Sequence, residues 1–340
     1  MSRPNMITQK EIARRLGVSA SMVSRALSGS AAGIGAAAKT IERIRAEAAR
    51  LHYHPSAAAL SLRGQPTHTI GVVIKNFDDP FFGHIIAELQ TLAATRGYSM
   101  LLTGGRTDIQ SLAKHRLDGL IIAGSDFMPD GLDVFVRRGI RVVRIGVGPA
   151  ATGVVNVAVD WEYGFRQLVS HLTKLGHRDI GYLSDETASN LHREKLLQAA
   201  MKRASLYARP NSFVRVQTTG AQAGYEAMQT LLQRCGDLMP TAVVAAEDAI
   251  AQTALRALFE RHLQVPQDLT LVGVDDVPAA RMTIPALTTL RQPIPAMVQA
   301  AFEQITSNVR HPPMEVSIQP ELVVRESSAP PATRRETHDD

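Results

Sequence analysis

Cysteine is almost missing: Cys235 is the single thiol in 340 residues. One thiol makes neither an internal disulfide nor a cysteine cage for zinc, and such a count fits a reducing compartment. Long apolar runs are missing as well. No stretch of eighteen apolar residues occurs, and the opening MSRPNMITQKEIARRLG enters a polar periodic pattern without an apolar signal core. No membrane span and no Sec export are expected, so the chain is read as cytoplasmic. The fingerprints of phosphate and dinucleotide chemistry are also lacking. There is no G-x-x-x-x-G-K-[ST], and the first strand-like run continues as IGVVIKNFDDPFF rather than into G-x-G-x-x-G. No G-x-S-x-G elbow or H-E-x-x-H occurs, and the eleven histidines are scattered without metal-ligand spacing. The expectation is a protein that is not an enzyme and holds no metal or cofactor.

What is present is a core-sized apolar fraction, 45%, in a length that suits two or three domains, and a charge that is not evenly spread. Residues 1–66 hold ten Lys and Arg against three Glu, or +7, which leaves −2 for the other 274 residues. A compact basic headpiece on a slightly acidic body is the footprint of phosphate neutralisation. On charge alone, a solvated basic surface reads the same.

The pattern inside the headpiece is more informative. Ile12, Ala13 and Leu16 recur at helical spacing after Thr8, with Glu11 three residues on, which is a capping-box pattern. Gly17 ends that helix, Val18 anchors the turn, and Ser19 caps a second helix over 20–27 with Val23, Ala26 and Leu27 inward. A third amphipathic helix over about 37–51 carries Ile41, Ile44, Ala48 and Leu51 on one stripe. In a helix-turn-helix the second helix enters the major groove, which here offers Ala20, Ser21, Met22 and Arg25. Arg25 is the side chain able to fork onto guanine. From the helices alone, an ordinary all-α pair joined at glycine stays open.

ITQKEIARRLGVSASMVSRAL followed by LHYHPSAAALSL resembles the headpiece and hinge of the lactose/galactose repressor (LacI/GalR) family of bacterial transcription regulators. The resemblance implies DNA contacts at Thr8, Ser19, Ala20, Ser21, Met22, Ser24, Arg25, Tyr53, Ser56, Leu62 and Arg63. Tyr53 and Pro55 would introduce a short hinge helix that orders on DNA, Leu62 would wedge into the minor groove, and Arg63 would follow as a phosphate or groove contact. A helix of two turns over 56–62 is marginal alone, consistent with folding on DNA, although a plain linker helix reads the same from the residues. The connection SGSAAGIGA over 28–36 is longer and richer in glycine than the family pattern.

Beyond Thr69, aliphatic runs alternate with helical stretches, from TIGVVIK to LTLVGV. About ten such runs, apolar throughout, point to parallel sheets covered on both faces, arranged as two doubly wound lobes, with ligands at strand carboxyl ends. LDGLII, LGHRDIGYLS, PTAVVAAEDAIA and VPQDLTLVGVDDVPAARMTIPALTTLRQP resemble the same family's periplasmic-binding-protein-like body. The resemblance implies effector contacts at Asp79, Phe81, Phe82, Ser125, Arg193, Thr219, Glu247, Asp248, Asp275 and Gln292. A carboxylate with an arginine takes pairs of sugar hydroxyls and an aromatic face covers the ring. By residue type alone, a turn-capping Asp275 and core phenylalanines stay open.

The expected domains are a headpiece over 6–54, a hinge over 55–66, a body over 67–326 and a disordered tail over 327–340. The N-lobe is expected at 67–160 with 291–315, and the C-lobe at 161–290 with 316–326. Three departures from the family pattern stand out. Only twelve residues, 105–116, separate YSMLLTG from LDGLII, which cuts the second helix of the N-lobe to about two turns near 110–115. Gly146, preceded by Arg144, stands where many relatives carry aspartate. Leu196 and Leu197 replace the usual Gly-Phe after Arg193. Arg193 with Arg144 and Arg291 leans the expected effector towards a sugar acid or sugar phosphate. Tetramerising members of that family use a helical tail with leucine heptads, which this tail lacks, so the resemblance implies a homodimer on near-palindromic operator DNA. The alternative is a small-molecule binding protein or enzyme of the two-lobed fold.

Overall fold

Thr8 opens α1 (Gln9–Leu16) from extended backbone, its hydroxyl accepting the Glu11 N–H at 3.3 Å. The capping box is half made, because the Glu11 carboxylate turns to Arg14 and Arg15 instead of back to Thr8. Those hydrogen bonds hold its pKa down at about 2. Ser19 caps α2 (Ala20–Leu27), its Oγ accepting the Met22 N–H at 3.1 Å, and α3 (Ala38–Arg50) follows. Ile12, Ala13, Val23, Ala26, Ile44 and Ala48 meet in one small core, with Met22, Leu51 and Tyr53 packed against it. The computed structural model describes residues 7–27, 38–51, 53, 66–105, 109–148, 151–307 and 314–332. The chain divides into two compact units, Met1–Thr67 and His68–Asp340.

In the second unit, β1 (Thr69–Ile74), β2 (Ser99–Gly104), β3 (Gly119–Ala123), β4 (Arg141–Ile145) and β5 (Val154–Val159) lie in one sheet. β6 (Ile180–Asp185), β7 (Phe213–Val216), β8 (Ala242–Ala245), β9 (Thr270–Asp275) and β10 (Thr288–Arg291) lie in another. β11 (Glu315–Ile318) completes the first sheet, in the order β11-β5-β4-β3-β1-β2, parallel throughout. β12 (Glu321–Val323) completes the second, in the order β12-β10-β9-β8-β6-β7, and only its pairing with β10 is antiparallel. Every residue of β3 and of β9 is buried, the condition of a strand with helices on both faces.

The chain changes lobe three times: from β5 into the helix Trp161–Leu175, from β10 into the helix Ile294–Thr306, and from β11 to β12 through Gln319 and Pro320. This last crossing lies a few residues beyond the expected 315/316 boundary, because β11 pairs with β5 of the N-lobe. The tail expected from Ser327 needs a larger correction. Ser327 is fully buried, donating to Leu271 O and accepting the Thr288 N–H at 2.8 Å, while Ala329 exchanges hydrogen bonds with Thr270. Residues 327–332 are therefore woven into the C-lobe; 333–340 lie outside the described residues.

The second helix of the N-lobe is shorter than expected, a single turn over Gln110–Ala113, tied by Arg138 donating to Ala113 O at 2.5 Å. Gly146 has a backbone reason. Its φ is 129°, and a Cβ there would stand 2.8 Å from Ser125 Oγ, so an aspartate would be both strained and crowded. Leu197 is fully buried and Leu196 packs against the core, so the two leucines after Arg193 serve packing.

Candidate functional site

Two surfaces collect the residues singled out by sequence. In the headpiece, Ala20, Ser21 and Arg25 are exposed along α2, at the end that Ser19 caps. Small side chains followed one turn later by a guanidinium let the helix approach a groove closely while one residue reaches a base edge. Thr8 is exposed at the start of α1, and Met22 is half-buried. Ser24 departs from expectation: it is 4% exposed and so turns away from the surface that its neighbours present. Tyr53 is also drawn inward, its N–H donating to Ala48 O at 2.9 Å. Ser56, Leu62 and Arg63 lie outside the described residues.

The second surface sits at the carboxyl ends of the strands of both lobes. Asp79 caps the helix Pro80–Thr95, its Oδ1 accepting the Phe81 N–H at 2.9 Å. In the C-lobe, Arg193 Nη1 donates to Ala246 O at 2.7 Å and to Asn190 Oδ1 at 3.3 Å. Its guanidinium carbon stands 4.5 Å from the ring centre of Trp161, a cation–π contact at the first crossing between lobes. Two carboxylates flank it without closing to hydrogen-bond distance: Glu247 Oε1 at 3.9 Å and Asp275 Oδ1 at 3.6 Å. Asn190 ties the group together by donating to Asp185 at 2.9 Å and to Glu247 at 3.1 Å. Gln292 donates to Asp275 at 2.6 Å.

The charges act on each other across the lobes. Burial pushes the Asp79 carboxyl up, opposed by the Phe81 N–H, Arg193 and Lys75. Burial also raises Glu247, with Arg193 pulling it down and Asp79 and Asp185 pushing further up. Asp275 is driven well above the usual carboxylate range by burial, with Glu247 and Asp248 adding and Arg193 opposing. The arrangement is rich in acceptors, holds one stacked guanidinium, and suits a small ligand that donates several hydrogen bonds.

Not every expected contact joins this group. Phe81 is half-buried and meets Phe82 edge-on at 5.4 Å, but Phe82 belongs to the N-lobe core. Ser125 is engaged within its own lobe, where its Oγ accepts the Val147 N–H and its carbonyl accepts from Lys75. Thr219 is exposed in the turn before the helix Ala221–Cys235 and makes no hydrogen bond to the group. Asp248 is fully buried and braces the scaffold, accepting from Thr289 at 2.6 Å and from the Val277 N–H at 2.9 Å.

Two of the three arginines behind the anionic lean are committed elsewhere. Arg291 binds Asp276 at 2.7 Å and Glu321 at 2.8 Å. Arg144 is fully buried, in register with Val142 on the sheet face that packs on Phe127 and Phe135, and donates to Asn156 and Met128. Sequence reasoning missed Trp161, Asn190 and Lys75. Two signals were available: Trp161 is the sole tryptophan, beside a capping aspartate, and Asn190 precedes Arg193 by one helical turn.

Comparison with known proteins bears on both surfaces. The periplasmic binding protein-like domain family matches residues 169–328. The HTH-type transcriptional repressor PurR of Haemophilus influenzae is 30% identical over 95% of this chain and 98% of its own length. A solved LacI transcriptional regulator from a Rhodococcus species is 30% identical, with a TM-score of 0.68 over 78% of this chain and all of that one. The lac repressor dimer bound to operator and the anti-inducer ONPF has the same fold, at a TM-score of 0.79 and 24% identity over 96% of this chain and 100% of that one. Among the described residues no helix is long and apolar enough to cross a membrane.

Proposed function

From the premise that the chain belongs to the lactose/galactose repressor family of transcriptional regulators, we propose that it works as a cytoplasmic homodimer on near-palindromic operator DNA, released or retained by a small polyhydroxylated effector. It is a transcriptional repressor by family and not an enzyme. Each α2 takes one major-groove half-site through Ala20, Ser21 and Arg25, and paired hinges insert Leu62 between them.

The observation that carries the effector half of the proposal is Arg193, stacked on Trp161 and held between Glu247 and Asp275 with Asp79 facing it from the other lobe. A ligand bridging those groups bonds to both lobes at once. Its binding energy therefore differs between open and closed arrangements, which is the requirement for coupling to DNA. The lac repressor solved with operator and ONPF gives the precedent of one fold holding both ligands. A sugar acid or sugar phosphate is less well served than the sequence implied, since Arg291 and Arg144 point their charge elsewhere.

The test starts with an operator selected from random duplexes by the full chain. Sugars are then titrated while Trp161 fluorescence and operator retention are read together. A quench that tracks a change in DNA affinity supports the reading. Retention that no cleft-binding sugar alters, in either direction, refutes it.

A further inference from the structure

The cleft has an unbalanced electrostatic composition. Four carboxylates, Asp79, Asp185, Glu247 and Asp275, act on one another there, against the two cations Arg193 and Lys75. The cations are outnumbered, and Arg193 already stands between two of the carboxylates, Glu247 and Asp275. Lys75 donates to Ser125 O at 3.3 Å, and Arg193 Nη1 is spent on Ala246 and Asn190. The hydrogen-bond tally has the same sign. Asp79 accepts from Phe81 through one oxygen, Glu247 from Asn190 through one, and Asp275 from Gln292 through one. Each leaves its second oxygen without a donor among the described residues.

A second observation is independent of the carboxylates. Arg193 is only 9% exposed, and its Nε donates to nothing among the described residues. A buried guanidinium N–H without an acceptor is costly, and a ligand oxygen at Arg193 relieves it. The site therefore asks for one acceptor at Arg193 and for donors, with net positive charge, at the three carboxylates.

Building on the reading of this cleft as an effector site, we propose that the effector carries a basic nitrogen: an amino-substituted polyol, an amino sugar by chemical class, whose ammonium group sits among Asp79, Glu247 and Asp275 while a hydroxyl oxygen accepts from Arg193. A protonated amine supplies three donors and the missing charge together. A neutral sugar supplies the donors alone, and a sugar acid adds a further carboxylate to a group already crowded with them. Burial, which raises all three carboxyls, is the physical cost that the ammonium offsets. Affinity for such a ligand falls at low pH, where Asp79, Glu247 and Asp275 take up protons, and falls again at high pH, where the amine loses its own. Asp185, Tyr182, Lys75 and Arg193 are the other ionisable groups around this cluster, and Asp248 acts on Asp275 from the scaffold beneath it.

The experiment titrates the full-length protein with D-glucosamine, D-glucose and D-gluconate, and with the matching galacto compounds, by calorimetry and Trp161 fluorescence from pH 5 to 9. The expected order at pH 7 is amine over neutral sugar over acid, with about tenfold between amine and neutral sugar, a modest return for a partly screened charge pair. A bell-shaped pH profile should accompany the amine alone. In Glu247→Gln, which keeps the acceptor for Asn190, the preference for amine over neutral sugar should drop at least threefold. Neutral or acidic sugars binding as tightly as the amines would overturn the basic nitrogen and leave the carbohydrate cleft standing. Absence of binding by every compound would overturn both.

Discussion

Asp248 offers the sharpest test of how the scaffold under the cleft is built. Its carboxylate is fully buried, with Oδ1 accepting from the Thr289 hydroxyl at 2.6 Å and Oδ2 from the Val277 N–H at 2.9 Å. Gly273 makes room for it: a Cβ there would come within 2.2 Å of Asp248 Oδ1. Burial, opposed by those hydrogen bonds and reinforced by Asp276, pushes the pKa up to about 7. In the unfolded chain an aspartate titrates at about 3.9. The folded state thus holds this proton more tightly, so the contribution of Asp248 to stability is complete below about pH 4 and is lost as pH rises to about 7. The loss is bounded by roughly 4 kcal/mol, at about 1.4 kcal/mol per unit.

Asp248→Asn keeps both hydrogen bonds, because the amide oxygen accepts from Val277 and the amide N–H donates to the Thr289 hydroxyl. It should match the parent within about 1 kcal/mol at pH 4 and exceed it by a margin that grows up to about pH 7. Asp248→Ala leaves the Val277 N–H without an acceptor and removes two hydrogen bonds, for a loss of about 3–5 kcal/mol at pH 5. Urea unfolding of the three proteins from pH 4 to 8 measures all of this. Parallel pH profiles for parent and Asn protein, or an Ala protein as stable as the Asn protein, would refute the reasoning.

Further expectations concern the cleft and the headpiece that the proposed function couples. Arg193→Ala should retain operator affinity within about twofold while weakening the effector by roughly a hundredfold, the worth of a charged hydrogen-bond set, in a paired DNA and ligand titration. Arg25→Ala should flatten base preference at one position per half-site by about 1–3 kcal/mol, read by binding to single-base operator variants. Leu62→Ala should weaken operator binding far more than binding to random duplex, and equal losses on both DNAs would remove the wedge from the mechanism.

The alternation of apolar strands and helices was legible because a strand buried on both faces carries its signature in a few consecutive residues, as GLIIA and TLVGVD do here. Arg193 and Asp275 were legible from their phrases, and the structure sets them 3.6 Å apart. Contacts made by tertiary approach left no local trace. Trp161 reaches Arg193 from the start of the neighbouring C-lobe helix, 32 positions away in the chain. Asp248 was misread for a different reason. It is adjacent to Glu247, but at a helix start successive side chains diverge, so one faces the cleft and the other the β9–β10 scaffold. Ser24 is polar by type yet small enough for the buried side of α2. The segment from Ser327 reads as tail by composition, but its hydroxyls satisfy backbone groups of β9 and β10, which composition does not register.

The weaving of residues 315–332 through both lobes has a consequence for biosynthesis. β11 closes the N-lobe sheet, β12 pairs with β10, and Ser327 fills a buried position between Leu271 and Thr288. Neither lobe is complete until almost the whole chain has left the ribosome. The headpiece helices, by contrast, end at Arg50, and their core needs nothing that follows Tyr53. A nascent or prematurely stopped chain therefore presents the three headpiece helices while the two-lobed domain is still unfinished. Such a fragment carries the headpiece core complete and neither sheet closed.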